Sequence, residues 1–235
     1  MPPLPGVGLT CREDGAMSWC DTRARLSSAA AREPAMQATI DYYFTPLSPW
    51  AYLGHQRFAE LASRAGASIN VLPVDLGGKV FPVSGGLPLA KRAPQRQAYR
   101  LTELRRWSAF LNLPLIPMPR YFPFNPDDVA RLIVAVEMKD GSDAAMALSG
   151  AAMTAIWAED RNIADEATLA QLLAALRLPA ARLEESHSQA VHERYEADSQ
   201  RAIDAGVFGA PSYVLDGEIF WGQDRLDFLA RRLLA

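Results

Sequence analysis

The spacing of apolar residues predicts strands near the beginning and at the end of the chain, with helices between them. Asp41 to Phe44 is rich in aromatic and apolar residues, as a buried strand would be. Thr45-Pro46 breaks it. Ser48 then stands where a helix cap belongs, and Pro49 occupies the first helical position, where its missing N–H costs nothing. That helix runs through Tyr52, Phe58, Leu61 and Ala62 to Gly66, a natural C-terminal glycine. Ser68 to Leu76 alternates through Ile69, Val71 and Val74, which predicts a second strand, parallel to the first with a right-handed crossover.

The segment from Gly77 to Pro88, with two glycine pairs, reads as a loop matching neither a P-loop nor a dinucleotide fingerprint. Residues 95–111 carry Tyr99, Leu101, Leu104, Trp107 and Phe110 at spacings suited to an amphipathic helix. Four prolines between Leu113 and Phe124 forbid a regular element there. Asn125-Pro126-Asp127-Asp128 opens further helices over 126–139 and 142–160, followed by one ending near Leu176 and others over 179–187 and 188–205. Strand signals return in Gly209 to Gly222, a hairpin around Asp216-Gly217, before a last amphipathic helix from Gln223. The pattern is an α/β thioredoxin-like fold with a large all-helical insertion between its βαβ and ββα halves. Residues 37–88 and 202–235 form the thioredoxin-like domain and 89–201 the insertion.

Composition narrows the chemistry. A net charge of −3 offers no electrostatic case for nucleic acid or anionic membrane, and no apolar run approaches the roughly 20 residues of a membrane span. His55, His187 and His192 are scattered, and no Cys-x-x-Cys or Cys/His ligand spacing occurs, so no metal site is expected. The first 36 residues differ from the rest, with Pro2, Pro3, Pro5, Gly6 and Gly8 followed by mixed charges. They lack the apolar core of a secretory signal, and a cytoplasmic location is expected. Met36, just ahead of the first strand, is the expected natural start, which would leave Cys11 and Cys20 outside the working protein.

A strand that delivers a small polar residue to a helix start makes a place for an anion, because unpaired N–H groups and the positive end of the dipole converge there. On its own, Ser48 reads either as such a site or as a plain cap. Lys79 reads either as the wall of a site or as a solvated lysine.

Three segments together resemble a known family. They are Ser48-Pro49-Trp50-Ala51-Tyr52-Leu53, Val207-Phe208-Gly209-Ala210-Pro211-Ser212-Tyr213 and Phe220-Trp221-Gly222-Gln223-Asp224-Arg225-Leu226. In this order they resemble the DsbA-like proteins of the 2-hydroxychromene-2-carboxylate isomerase and kappa-class glutathione transferase group. By that resemblance Ser48 stands at the first cysteine of Cys-x-x-Cys and Ala51 at the second, which excludes disulfide exchange at this site. The resemblance implies glutathione as cofactor, with Ser48 the catalytic residue stabilising its thiolate while the sulfur attacks. It implies a cis-proline at Pro211 and a backbone contact from Ala210 to the tripeptide. Gly222, Gln223 and Asp224 would hold the γ-glutamyl end. Trp50, Lys79 and Tyr121 would line the substrate pocket. Relatives often carry an asparagine in the loop after the second strand, whereas this chain has glycine there, within Val83-Ser84-Gly85-Gly86-Leu87.

The implied activity is a glutathione-dependent cis–trans isomerisation of 2-hydroxychromene-2-carboxylate, or a close analogue, in aromatic-compound degradation. The implied partner is a small aromatic carboxylate, and a homodimer is compatible with the resemblance. The alternatives are a kappa-like glutathione transferase and a redox-inactive binding module. A chain beginning at Met36 is expected to keep the turnover and melting temperature of the full chain; a loss of either would show that residues 1–35 belong to the working protein.

Overall fold

The computed structural model describes residues 37–234. The first half runs β1 (Thr39–Phe44), α1 (Pro49–Ala65), β2 (Ser68–Pro73), the short α2 (Phe81–Ser84), α3 (Pro94–Leu111), α4 (Asp127–Asp140) and α5 (Ser142–Trp157). It continues with α6 (Glu166–Ala175), the short α7 (Arg182–Glu185), α8 (Gln189–Asp204), β3 (Ser212–Leu215), β4 (Glu218–Trp221) and α9 (Leu226–Leu234). The expected start at Met36 and both cysteines lie outside the described residues.

The sheet order is β2-β1-β3-β4, with β1 parallel to β2 and antiparallel to β3. An interior strand must bury both faces, which is why β1 reads as nearly continuous aromatic and apolar residues. Ile40, Tyr42 and Phe44 face α1 and α9, whose Leu53, Phe58, Leu61, Leu226 and Leu229 complete that core. Tyr43 points the other way, with Leu72, Val74 and Val214, onto Ala202 of α8. The Tyr42 ring stacks between Phe44 at 4.4 Å and Tyr213 at 5.4 Å. The insertion shares the first core, since Leu132, Ile133 and Val136 of α4 and Leu148, Ala152 and Ile156 of α5 belong to the same cluster.

Local chemistry ends each element. Gly66 closes α1 at φ 63° and ψ 25°, and Asp216-Gly217 turns the hairpin with both φ angles positive, at 51° and 82°. β2 stops at Pro73, short of the expected Leu76. Proline has no N–H to continue the ladder, and after Val74 donates to the Phe44 carbonyl at 2.9 Å the chain turns away. Asp75 then caps the Gly78 N–H at 2.7 Å and starts a π-helical turn over Leu76–Val80, which runs into α2. The region expected to be a plain loop therefore contains two short helical turns, because Asp75 satisfies the first orphan donor. The helix expected over 179–187 is confined to Arg182–Glu185.

α3 differs in which face is buried. Tyr99 and Phe110, placed on the expected apolar face, are exposed, while the buried stripe is Arg100 and Leu104. The helix meets the body along a narrow line, and the four-residue step from Arg100 to Leu104 defines it.

Gly54 of α1 faces the sheet end so closely that a Cβ there would lie 2.7 Å from the Tyr213 hydroxyl and 2.8 Å from Gln223 Cβ. Gly54→Ala is expected to lower stability by about 1 kcal/mol, since overpacking of about 1–3 kcal/mol exceeds the helix-propensity gain of about 1 kcal/mol. The midpoint of urea unfolding measures it; an unchanged or higher midpoint would show that the contact relaxes freely.

Candidate functional site

The turn that leaves β1 brings Ser48 to the start of α1. Its backbone N–H donates to the Thr45 carbonyl at 2.9 Å, and the Trp157 indole N–H donates to the Pro46 carbonyl at 3.1 Å, so the turn is anchored from below by α5. Ser48 is buried, and its hydroxyl has two partners. It accepts the Ala51 N–H at 3.2 Å, the cap bond, and donates to the Ala210 carbonyl at 3.2 Å. The hydroxyl thus bridges the first helix to the segment before β3.

That segment is shaped around Ala210-Pro211, whose peptide bond is cis. The Ser212 hydroxyl donates to the Gly209 carbonyl at 2.8 Å, and the Gly222 N–H donates to the Pro211 carbonyl at 2.9 Å. Gly209 is required by a close approach: a Cβ there would strike the Trp221 indole. Trp221 and Phe208 are half exposed and packed edge to face at 4.8 Å beside Ala210. Gly222 holds φ 99° and ψ 149°, and a Cβ there would come within 2.5 Å of the Asp224 carboxylate.

Ser48, Ala210, Pro211, Gly222, Gln223 and Asp224 are thereby brought together by direct contact or through α1. The Gln223 side chain is 2% exposed, and its amide oxygen accepts from the Arg57 guanidinium at 2.8 Å, so it ties the last helix to α1. The Asp224 carboxylate is exposed and pairs with Arg225 at 2.7 Å. Among the described residues the N–H groups of Trp50 and Ala210 meet no acceptor.

The three pocket candidates lie in different settings. Trp50 is half-buried in the first turn of α1, against the main core. Lys79 sits in the turn beyond β2 with its ammonium paired to Glu196 of α8. Tyr121, in the proline-rich segment, is 37% exposed with the Arg120 guanidinium 6.0 Å from its ring centre.

Two buried groups near α1 were not legible as site residues. His55 lines a groove of about 750 Å³ between α1 and α5, together with Tyr52, Ala59, Met146, Gly150 and Thr154. Its Nε2 lies 3.0 Å from the Met146 carbonyl, which can only accept, so Nε2 carries the proton and Nδ1 accepts the Tyr42 hydroxyl at 3.3 Å. Burial pushes its pKa down to about 4, against the opposing pull of the Met146 carbonyl. This is a neutral, satisfied imidazole rather than a free base.

Arg100 is the opposite case. It is 9% exposed, and its Nη1 has no acceptor. The guanidinium lies 5.4 Å from the Phe122 ring centre and 6.0 Å from that of Trp157. Burial and then the positive Arg92 push its pKa down to about 10. A buried donor without a partner costs about 1–3 kcal/mol, more when charged, and cation–π contact of about 2 kcal/mol offsets only part of that. The sequence signal that could have shown it is the four-residue spacing of Arg92, Arg96, Arg100 and Leu104.

With the geometry established, the relatives can be placed. The family model for the DSBA-like thioredoxin domain matches residues 39–234. The chain belongs to this family. It is 32% identical over 200 residues to a 2-hydroxychromene-2-carboxylate isomerase of Sphingobium xenophagum, covering 85% of this chain and all of that relative. It is 24% identical to glutathione S-transferase kappa 1 of Caenorhabditis elegans, covering 81% of this chain and 88% of the relative. A solved structure of a 2-hydroxychromene-2-carboxylate isomerase superposes with a TM-score of 0.71 at 28% identity, covering 83% of this chain and 94% of that one. The expected family and the thioredoxin-like fold with its helical insertion between β2 and β3 are both borne out. Among the described residues, no group of three His, Cys, Asp or Glu side chains could hold a metal, and no helix is long and apolar enough to cross a membrane.

Unfolded histidine titrates near 6.5, so between about pH 6.5 and about pH 4 the unfolded chain binds more protons and folding is weakened as pH falls. The full contribution is on the order of 3 kcal/mol, present above pH 6.5 and lost towards pH 4. Denaturant unfolding across that window is expected to show a shallower pH dependence in His55→Gln than in the wild type; equal slopes would rule His55 out as the titrating group.

Proposed function

We propose that this chain is a glutathione-dependent cis–trans isomerase, converting 2-hydroxychromene-2-carboxylate or a close analogue to trans-o-hydroxybenzylidenepyruvate. The observation that carries the proposal is the Ser48 hydroxyl, buried at the start of α1 and aimed at the Ala210 carbonyl. The names of the relatives at about 30% identity supply the reaction class.

The residues fit glutathione. The N–H of Trp50, which meets no acceptor among the described residues, and the positive end of α1 favour an anionic sulfur beside Ser48. The unpaired N–H of Ala210, ahead of the cis peptide bond, suits the backbone of a tripeptide, a one-residue strand addition. Gly222, Gln223 and Asp224, at the entry to α9, would hold the γ-glutamyl end, with the Asp224 carboxylate turned to its ammonium in place of Arg225. When bound, glutathione would supply a thiolate that adds to and later leaves a conjugated substrate, so that a former double bond turns as a single bond and no glutathione is consumed. Ser48 would donate its hydroxyl proton to that sulfur, exchanging the Ala210 carbonyl for it. Neither Ser48 nor Ala51 can form a disulfide, so the site keeps the binding features of its family without exchange chemistry. Trp50, Lys79 and Tyr121 remain the proposed lining of the substrate pocket.

The kappa-class relative favours a second reading, conjugation of glutathione to a substrate. Glutathione far below the substrate concentration separates the two. Complete conversion of the chromene carboxylate with no loss of free thiol is expected; stoichiometric thiol loss would establish the transferase, and turnover without any thiol would end both readings. In the same assay Ser48→Ala should lose about 100-fold in turnover with an unchanged circular dichroism spectrum. Wild-type turnover in that variant would remove Ser48 from the mechanism.

A further inference from the structure

Arg100 stands out among the charged groups of this protein. It is 9% exposed with a buried, unpartnered Nη1; among the described residues the other buried guanidinium atom without a partner, Arg131 Nε, belongs to a side chain that pairs with Asp128. It lies against Phe122 and Trp157, and Trp157 in turn holds the carbonyl of Pro46, two residues ahead of Ser48. One indole ring therefore separates Arg100 from the turn that carries the candidate catalytic hydroxyl. Phe122 itself is only half buried and follows Tyr121 in the proline-rich segment.

The surroundings add further positive charge instead of cancelling that of Arg100. Arg92 donates to the Leu87 carbonyl at 2.8 Å, and its pKa is lowered by burial and by Arg96, while that of Arg100 is lowered by burial and by Arg92, with no carboxylate against either among the described residues. Lys79, the cation that the loop after β2 offers, already has a carboxylate partner in Glu196. Arg92, just ahead of α3, and Arg96 and Arg100 on it form a field that draws an anion, and Arg100 has an unpartnered Nη1.

We propose that Arg100 recognises the carboxylate of an aromatic carboxylic acid whose ring lies along Phe122, and so determines that the substrate is an anion. A guanidinium fork matches a carboxylate in a bidentate pair, and the acid would supply the acceptor that Nη1 lacks. This assignment rests on reading the Ser48 cluster as the reacting end of the same site.

The test uses the full chain with saturating glutathione and an unreactive probe, chromone-2-carboxylate, with chromone-2-carboxamide as its neutral counterpart. Calorimetry should find the wild type preferring acid over amide by about 10- to 100-fold. Arg100→Met should lose that preference and bind the amide as before, and Arg100→Lys should retain part of it. An unchanged acid-to-amide ratio in Arg100→Met overturns the assignment. Should that variant not fold, crystals of the wild type with the acid decide: carboxylate oxygens on the Arg100 guanidinium support the assignment, and a carboxylate bound elsewhere overturns it. If Arg100 holds the acid but the wild type does not isomerise the chromene carboxylate, the isomerase reading fails and this one stands. If the wild type isomerises it and Arg100→Met leaves its KM unchanged, the reverse holds.

Discussion

Burial of β1 on both faces is the constraint from which the rest of the structure follows. A strand enclosed by β2 and β3, with α1 and α9 on one side and α8 on the other, can hold almost no polar side chain. Its single acid, Asp41, is paid for by three partners: Asn70 at 2.6 Å, the Tyr43 hydroxyl at 3.2 Å and Arg201 at 2.6 Å. Those bonds join two strands and α8 at the edge of the second core. Because β1 is held so firmly, the turn that leaves it delivers Ser48 to a set place at the start of α1.

Serine changes what this position can do while preserving how it is held. A cysteine thiol there would be an exchangeable sulfur; the hydroxyl instead caps α1 and reaches across to Ala210. Both bonds are 3.2 Å long, so the hydroxyl proton can be redirected without dismantling the cap, since the cap bond uses the oxygen as acceptor and the Ala210 bond uses the proton. The Pro211 carbonyl and the Gly222 N–H then connect the same segment to the entry of α9. A site assembled in this way depends on one hydroxyl and a few backbone groups, and its specificity must come from elsewhere. In the proposed function the insertion would provide it, because α5 supports the Pro46 turn through Trp157 and α3 brings Arg100 against that same ring.

Much of this could be read from residue order because it is governed by neighbours. The cap at Ser48, the proline after it, the αL glycine at Gly66 and the Asp216-Gly217 turn all obey local rules, and the elements they bound are present. The stretch after β2 was less legible. Glycine pairs suggest a loop, yet one Asp75 carboxylate organises a π-helical turn through a bond that glycine content does not reveal. On α3, periodicity pointed to Tyr99 and Phe110, and the fold buries Arg100 instead. Apolar spacing locates a buried face only when the whole face is covered; α3 touches its neighbours along a line.

The sequence by itself determined the elements, their order, the cap at the head of α1 and the absence of paired thiols at positions 48 and 51, since each depends on a few adjacent residues. Only the tertiary structure decided which of those residues meet. Ser48 and Ala210 are distant along the chain and touch because β3 pairs with β1. Gln223 is an amide whose oxygen accepts from Arg57, and its burial is not revealed by its place near a helix start. Arg100 looks like one arginine among several on a charged helix, and its lack of a counter-charge among the described residues arises when the insertion docks and closes Phe122 and Trp157 around it. Contacts of that kind are set by packing between segments far apart in the chain, and no local pattern encodes them.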